Sequence, residues 1–83
     1  MTTAAAELEM AERHDAAGRH DEAIGCLARA TQAGDVEAKT RLAKRLIVGD
    51  RAPLLFRQGA GFMREAAQEG GAEAAALLAV LAA

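Results

Sequence analysis

The sequence predicts an all-α fold, and three observations lead to that prediction. Alanine dominates the apolar residues while aromatic residues make up only 2% of the chain, so helices form readily and can pack closely. Apolar residues recur at helical spacing in segments that end at glycine. The phrase QAGDVEA at 32–38 returns 36 positions later as QEGGAEA at 68–74. One helix pair in each period of that length predicts a right-handed solenoid of α-helical hairpins.

About five helices are expected, and the last of them lacks a partner helix. Their predicted bounds are about 3–17, 21–33, 35–48, 57–69 and 72–83. The candidate N-terminal caps are Thr2 or Thr3 for the first helix, Asp21 for the second and Asp35 for the third. Glycine ends each of the first three helices. Gly49 and Pro53 predict a longer connection before the fourth helix.

Apolar stripes mark the faces of the second, third and fourth helices that are predicted to be buried. The stripe residues are Ala23, Ile24, Leu27, Ala30 and Thr31, then Ala38, Leu42, Leu46 and Ile47, then Ala60, Met63, Ala66 and Ala67. Cys26 lies on the first of these stripes and is predicted to be a small buried packing residue.

The fifth helix is apolar on nearly every face. In AEAAALLAVLAA only Glu73 is charged, and such a helix belongs in an interior. Two explanations stay open: these residues are a fragment of a longer protein that continues with a covering helix, or two copies pair through this face. The predicted helix or oligomer interface consists of Leu77, Leu78, Val80 and Leu81.

Size and composition limit the chain to one helical-repeat domain over residues 1–83. Cys26 is the single cysteine, so no internal disulfide forms and a reducing compartment is expected. The N-terminus has no basic segment before an apolar one, and no uncharged run approaches the roughly 20 residues of a membrane span. The sequence therefore predicts a cytoplasmic protein without a membrane partner.

Two stretches resemble known helical repeats, and together they cover nearly the whole chain. AAGRHDEAIGCLARA, with Gly18 at the turn and Ala23 and Ala30 on one helix face, resembles a tetratricopeptide hairpin. The segment from GDVEAKTRLAKRLIVGD to EAAQEGGAEA, with Gly34 and Ala38 before its first leucine, is similar to a Sel-like repeat. The chain lacks the Tyr and Trp that these families often place in the first helix.

The resemblance implies a binding function. Solenoids of helical hairpins present a concave surface to peptides or protein domains, so the chain is expected to be an interaction scaffold or adaptor without catalytic activity of its own. DAAGRHDEAI with GDRAPLL also resembles the helical N-terminal region of bacterial 2-oxoglutarate and Fe(II)-dependent oxygenases of the prolyl-hydroxylase type. On that reading the 83 residues are an accessory region, and whether the whole protein is an enzyme stays open.

Residues that could perform chemistry are few. His14 and His20 flank a turn at Gly18, and no later histidine completes an iron site, so both are expected to be solvated turn residues. The chain has no serine, and Cys26 has no predictable histidine partner. GAGF at 59–62 is expected inside a helix and not in a phosphate-binding loop. No catalytic residue, metal site or cofactor is predicted.

Basic residues concentrate in the middle of the chain. Arg41, Lys44 and Arg45 share one face of the third helix at i, i+3 and i+4 spacing. Together with Arg13 they are the candidate partner-binding residues of a groove lined by the first helix of each pair. The alternative for the basic face, which we favour, is a solvated helix surface. A net charge of −2 and the lack of aromatic stacking residues argue against a nucleic-acid partner.

Three hypotheses follow, in order of preference. A scaffold predicts a groove that binds a protein or peptide. An accessory region of an oxygenase predicts a catalytic domain after Ala83. A structural homo-oligomer predicts a stable dimer that is held together by the fifth helix.

Overall fold

Five α-helices account for most of the chain. The computed structural model describes residues 3–82 and has no β-strand in that range, so the predicted all-α class is confirmed. The helices are α1 (Ala4–Ala16), α2 (His20–Gln32), α3 (Val36–Val48), α4 (Phe56–Gln68) and α5 (Ala72–Ala82). Each begins within one residue of the position expected from the sequence, and α1 to α4 also end within one residue of theirs. None of these five helices combines the length and the apolar character that crossing a membrane requires.

Side-chain caps fix the starts of α1 and α3, as the sequence predicts. The amide of Ala6 donates to Thr3 Oγ1 at 3.1 Å, and the amide of Ala38 donates to Asp35 Oδ1 at 2.8 Å. The alternative cap Thr2 and the predicted last helical residue Ala83 lie outside the described residues.

The start of α2 differs from the prediction. Its N-cap is Arg19, which makes no side-chain capping hydrogen bond, and Asp21 lies within the first turn. The turn is tighter than expected because Gly18 takes a left-handed φ of +79° and the amide of Arg19 donates to the carbonyl of His14 at 2.8 Å. The carboxylate of Asp21 still lies near the positive end of the helix, where negative charge is favourable.

Two clusters of buried apolar residues meet at α3. The N-terminal cluster joins α1, α2 and α3 and consists of Ala11, Ala23, Cys26, Leu27, Leu42 and Leu46. The C-terminal cluster joins α3, α4 and α5 and consists of Ala43, Met63, Ala66 and Ala74. Extensive contacts join α1 with α2, α2 with α3, α3 with α4, and α4 with α5. Most stripe residues are buried as predicted, while those that are only half-buried are Ile24, Thr31, Ile47, Ala60 and Ala67.

Three charged side chains are buried, namely Glu7, Lys39 and Arg45, and each is paired with a charged residue far away in the chain. Glu7 Oε2 accepts from Arg29 Nε at 3.1 Å, and Lys39 Nζ donates to Glu69. A second nitrogen of Arg29 donates to Cys26 Sγ at 3.2 Å. Burial and the neighbouring Glu7 raise the pKa of the Cys26 thiol above its usual value. A buried, protonated thiol fits the predicted packing role of Cys26, whose burial is confirmed.

Gly59 allows α3 and α4 to approach each other closely. A Cβ atom at this position would lie 2.8 Å from Ile47 Cγ1 and 3.0 Å from the carbonyl oxygen of Ala43. By contrast, the nearest atom to a Cβ at Gly61 would be a guanidinium nitrogen of Arg64 at 4.0 Å. The two glycines of α4 therefore differ in their surroundings, although both lie in the helix interior.

Gly59→Ala is expected to destabilise the fold by about 1–3 kcal/mol, because the added methyl group forces two packed helices apart. Gly61→Ala is the matched control, and it should stabilise the fold by about 0.5–1 kcal/mol because alanine is the better helix former. Urea unfolding followed by circular dichroism measures both free energies. Equal stabilisation by the two substitutions would show that α3 and α4 have room for the methyl group.

Candidate partner-binding groove

Helices α1, α3 and α5 are neighbours, with α3 in the middle. Between α1 and α3, Arg45 Nη1 donates to Asp15 Oδ2 at 2.6 Å. Between α3 and α5, Lys44 Nζ donates to Glu73 Oε1 at 3.1 Å. These ion pairs tie both outer helices to α3, and an open groove runs between them.

The groove has a volume of about 650 Å³, within the range of ligand-binding clefts. Its fifteen lining residues are Ala11, Glu12, Asp15, Leu27, Arg41, Lys44, Arg45, Ile47, Val48, Asp50, Arg51, Met63, Leu77, Val80 and Leu81. Every polar residue among them is charged, and none carries a hydroxyl or an amide side chain. The lining can therefore recognise apolar groups and charges.

Asp15 and Arg45 form the buried ion pair of the groove. Their side chains are only 19% and 8% exposed, and a second hydrogen bond joins Arg45 Nη2 to Asp15 Oδ1 at 3.1 Å. His20 Nδ1 lies 2.8 Å from the same Oδ1 atom. Burial alone would raise the pKa of Asp15, but the hydrogen bonds from Arg45 and His20, with the charges of Arg45 and Arg51, lower it below its usual value. Asp15 is thus a carboxylate whose charge is compensated within the fold.

Arg45 does not lie on a solvated helix surface, and that interpretation of the basic face is wrong for this residue. Besides its pair with Asp15, its Nη2 donates to the carbonyl oxygen of Arg51 at 3.0 Å. Its buried Nε has no hydrogen-bond partner within the described part of the chain. The partner Asp15 is 30 positions away, so helical spacing alone gives no sign of the pair.

Arg41 and Lys44 keep more contact with solvent. Their side chains are 36% and 46% exposed, and both pair with acidic side chains that are themselves more exposed. Arg41 reaches Glu12 at 3.3 Å and Glu37 at 2.8 Å. Exposed pairs of this kind contribute only about 0–1 kcal/mol, so their partners can be exchanged.

The loop after α3 contributes Asp50 and Arg51 to the groove. Gly49 ends α3 with a φ of +70°, as predicted, and the amide of Leu55 donates to the carbonyl of Leu46 at 2.9 Å. Two hydrogen bonds from Arg51, at 3.2 and 3.1 Å, lower the pKa of the Asp50 carboxyl group. Asp50 and Arg51 therefore lie at the groove as an ion pair whose opposite charges compensate each other.

The side of the groove that α5 forms is apolar. Val80 and Leu81 are 71% and 44% exposed, and Val48 at the end of α3 is also largely exposed. Leu77 and Leu78 are half-buried and pack against the C-terminal cluster. Of the four residues predicted to form an interface on α5, only Val80 and Leu81 are therefore largely open to solvent. That an interface forms there stays a prediction.

The repeat relates the apolar side of the groove to its basic side. A shift of 36 positions superposes the α5 sequence on that of α3. The corresponding pairs that line the groove are Arg41 and Leu77, Lys44 and Val80, and Arg45 and Leu81. At these equivalent positions α3 therefore carries cations and α5 carries aliphatic side chains.

Three of the four residues that the sequence proposes for partner binding line the groove, namely Arg41, Lys44 and Arg45. Arg13 is exposed on α1 and is not among the lining residues. Sequence reasoning missed Glu12, Asp15 and Val48. Glu12 and Asp15 were hard to single out because α1 carries charged residues on several sides. Val48 was missed because it is the last residue of its helix and lies outside the apolar stripe that the spacing defines.

The two histidines are more constrained than solvated turn residues. His14 Nδ1 lies 3.1 Å from Glu22 Oε2, and both histidine side chains are partly buried. Residues 3–82 contain no group of three or more His, Cys, Asp or Glu side chains arranged to hold a metal ion. The histidines therefore join the ends of α1 and α2 through polar contacts.

Comparison of the chain with protein-family models, curated proteins and solved structures finds no match. The tetratricopeptide or Sel-like resemblance and the oxygenase resemblance thus stay predictions.

Proposed function

We propose that this chain is a protein interaction module, a short solenoid of tetratricopeptide-like or Sel-like hairpins that binds a peptide or protein segment between α1, α3 and α5. The single observation that carries the proposal is the exposure of Val80 and Leu81 on one side of a groove of about 650 Å³. Burial of a fully exposed side chain of this size contributes about 1.5–3 kcal/mol, and Val80 and Leu81 can gain only the part that matches their remaining exposure of 71% and 44%. A bound segment would supply that cover.

Packing between consecutive helices supports the solenoid part of the proposal. Each helix makes extensive contacts with its neighbours in the chain, and the sequence period of 36 residues spans one helix pair. In such an arrangement the first helices of successive pairs line one surface. Here those helices are α1, α3 and α5, which supply eleven of the fifteen lining residues of the groove, while α2 and α4 add Leu27 and Met63.

Selection from a random peptide library tests the proposal without assuming a peptide sequence. We expect enriched peptides whose affinity falls at least about tenfold on Leu81→Glu, because an uncompensated charge in an apolar contact opposes binding. The matched control is Leu54→Glu, which alters an exposed leucine outside the groove lining and should leave affinity unchanged. Fluorescence anisotropy measures both effects. Peptides that bind equally to the two variants would place the binding surface elsewhere.

A structural homo-oligomer is the second candidate, and the same exposure of Val80 and Leu81 favours it. Light scattering of the wild-type chain and of Leu81→Glu separates the two candidates. A dimer that only the wild type forms would support self-association through α5. Monomers in both samples would support the first candidate, in which the groove binds another protein. The oxygenase alternative stays a prediction that the described residues do not test.

A further inference from the structure

The turn between α1 and α2 places its two histidines against opposite kinds of hydrogen-bonding partner. His20 Nδ1 lies 2.8 Å from Asp15 Oδ1, and the ionised carboxylate of Asp15 can only accept. His14 Nδ1 instead accepts a hydrogen bond from Arg19 Nε at 3.2 Å. A neutral imidazole has one donor and one acceptor nitrogen, so these contacts require the proton on Nδ1 of His20 and on Nε2 of His14. The two neutral rings are therefore opposite tautomers.

A carboxylate competes with Arg19 for Nδ1 of His14. Glu22 Oε2 lies 3.1 Å from this nitrogen and 3.2 Å from Arg19 Nε, so the three groups form a nearly equilateral triangle. While Nδ1 carries no proton, Arg19 is the only donor in the triangle. When Nδ1 gains a proton, the ring becomes a donor to Glu22, and its positive charge repels Arg19. A single proton therefore exchanges the partner of His14.

The burial of the three groups favours this exchange. The His14 side chain is only 22% exposed, so its ring is held in place, whereas those of Arg19 and Glu22 are 54% and 58% exposed. Exposed ion pairs are weak, so the contact between Arg19 and Glu22 opposes the exchange little. Within residues 3–82, these two are the charged side chains that contact the His14 ring, and both lie at the start of α2.

The other charges that reach this turn act on Asp15. Arg45 of α3 donates to Asp15 Oδ2, and Arg51 of the following loop lies 3.9 Å from the same oxygen. Asp15 thus stays an acceptor, and His20 needs its Nδ1 proton whether the ring is neutral or charged. His20 therefore serves as a fixed reference beside the variable contact of His14.

We propose that His14 is a proton-operated switch that controls the charge presented at the α1–α2 turn. While His14 is neutral, Arg19 and Glu22 lie together beside the ring and compensate each other. When His14 is protonated, Glu22 pairs with the imidazolium and Arg19 loses its acidic partner. Mild acid thus leaves an uncompensated cation at the small pocket of about 330 Å³ that residues 18–22 line. This inference does not depend on the groove.

Nuclear magnetic resonance of the ¹⁵N-labelled chain tests the switch, because it shows which ring nitrogens carry a proton. At about pH 8, His14 should carry its proton on Nε2 and His20 on Nδ1, and at about pH 5 both nitrogens of each ring should be protonated. The Hε proton of Arg19 should then exchange faster with water, because it has lost its acceptor. A neutral His14 with its proton on Nδ1 would overturn the proposal, since Glu22 would already be its partner.

Two arginine variants assign the tautomer of His14 to its cause. Arg19→Ala removes the only donor of the triangle, so neutral His14 should change to the Nδ1–H tautomer and donate to Glu22. Arg13→Ala removes the same charge from the exposed residue that precedes His14 and should leave the tautomer as in wild type. A His20 ring that keeps its proton on Nδ1 shows that the turn is folded in each variant. An unchanged His14 tautomer in a folded Arg19→Ala chain would refute the switch.

Discussion

Asp15→Asn should destabilise the fold by about 3 kcal/mol, the lower end of the cost of breaking a buried ion pair, because Asp15 retains 19% exposure. The substitution leaves the guanidinium of Arg45 buried, with its Nε already lacking a hydrogen-bond partner within residues 3–82. For a domain of this size that loss is a large part of the total stability. Urea unfolding at pH 7 measures it.

The matched control is Asp50→Asn, which alters an exposed acid that is also bonded to an arginine and should change stability little. A double replacement, Asp15→Leu with Arg45→Met, should recover most of the lost stability because apolar side chains can fill the site without an unpaired charge. If Asp15→Asn were as stable as wild type, the ion pair would carry no structural role.

Acidification provides an independent check on Asp15. Its pKa is lowered in the folded chain, so its contribution is fully present above the ordinary carboxyl pKa of about 3.9 and is lost as the pH falls through the folded value. Arg45, His20 and Arg51 face it, and the carboxylate of Asp50 is close enough to interact with its charge. The stability difference between wild type and Asp15→Asn should therefore be largest near neutral pH and shrink below about pH 4.

Met63→Ala should cost about 2–5 kcal/mol, because Met63 is the largest fully buried side chain in the described part of the chain. It sits in the C-terminal cluster and also underlies the groove, so its truncation leaves a cavity that α3 and α4 can only partly close. Thermal unfolding followed by circular dichroism gives the loss.

Met63→Leu tests whether volume or chemistry matters, and it should cost less than about 1.5 kcal/mol since it largely conserves volume. Val80→Ala truncates an exposed groove residue and should leave stability nearly unchanged. A small loss for Met63→Ala would mean that the helices collapse around the missing side chain.

Local signals in the sequence were enough to predict the helices. Asp35 before α3 and Gly49 after it act within a few residues, so the chain close to them decides where the helix starts and ends. Asp21 failed as a cap for a related reason. The turn at Gly18 is shorter than its composition suggests, and Arg19 takes the cap position instead.

The groove was only partly predictable because its key contacts are not local. The basic residues of α3 were visible as a pattern, but the pairing of Arg45 with Asp15 depends on how α1 lies against α3. Helical spacing carries no information about that packing. The aliphatic residues of α5 were recognised as an unusual feature, yet their position beside Arg41 and Lys44 became clear only from the arrangement of α1, α3 and α5.

The sharing of α3 between two clusters has a thermodynamic consequence. Leu42 and Ala43 are neighbours in the chain and pack in different clusters, so melting of α3 would remove support from both ends at once. Neither terminal half retains a complete set of packing partners without α3, which favours a single cooperative transition over stepwise melting. Since α3 also lies in the middle of the groove, a ligand bound there would raise the midpoint of that transition for the whole chain.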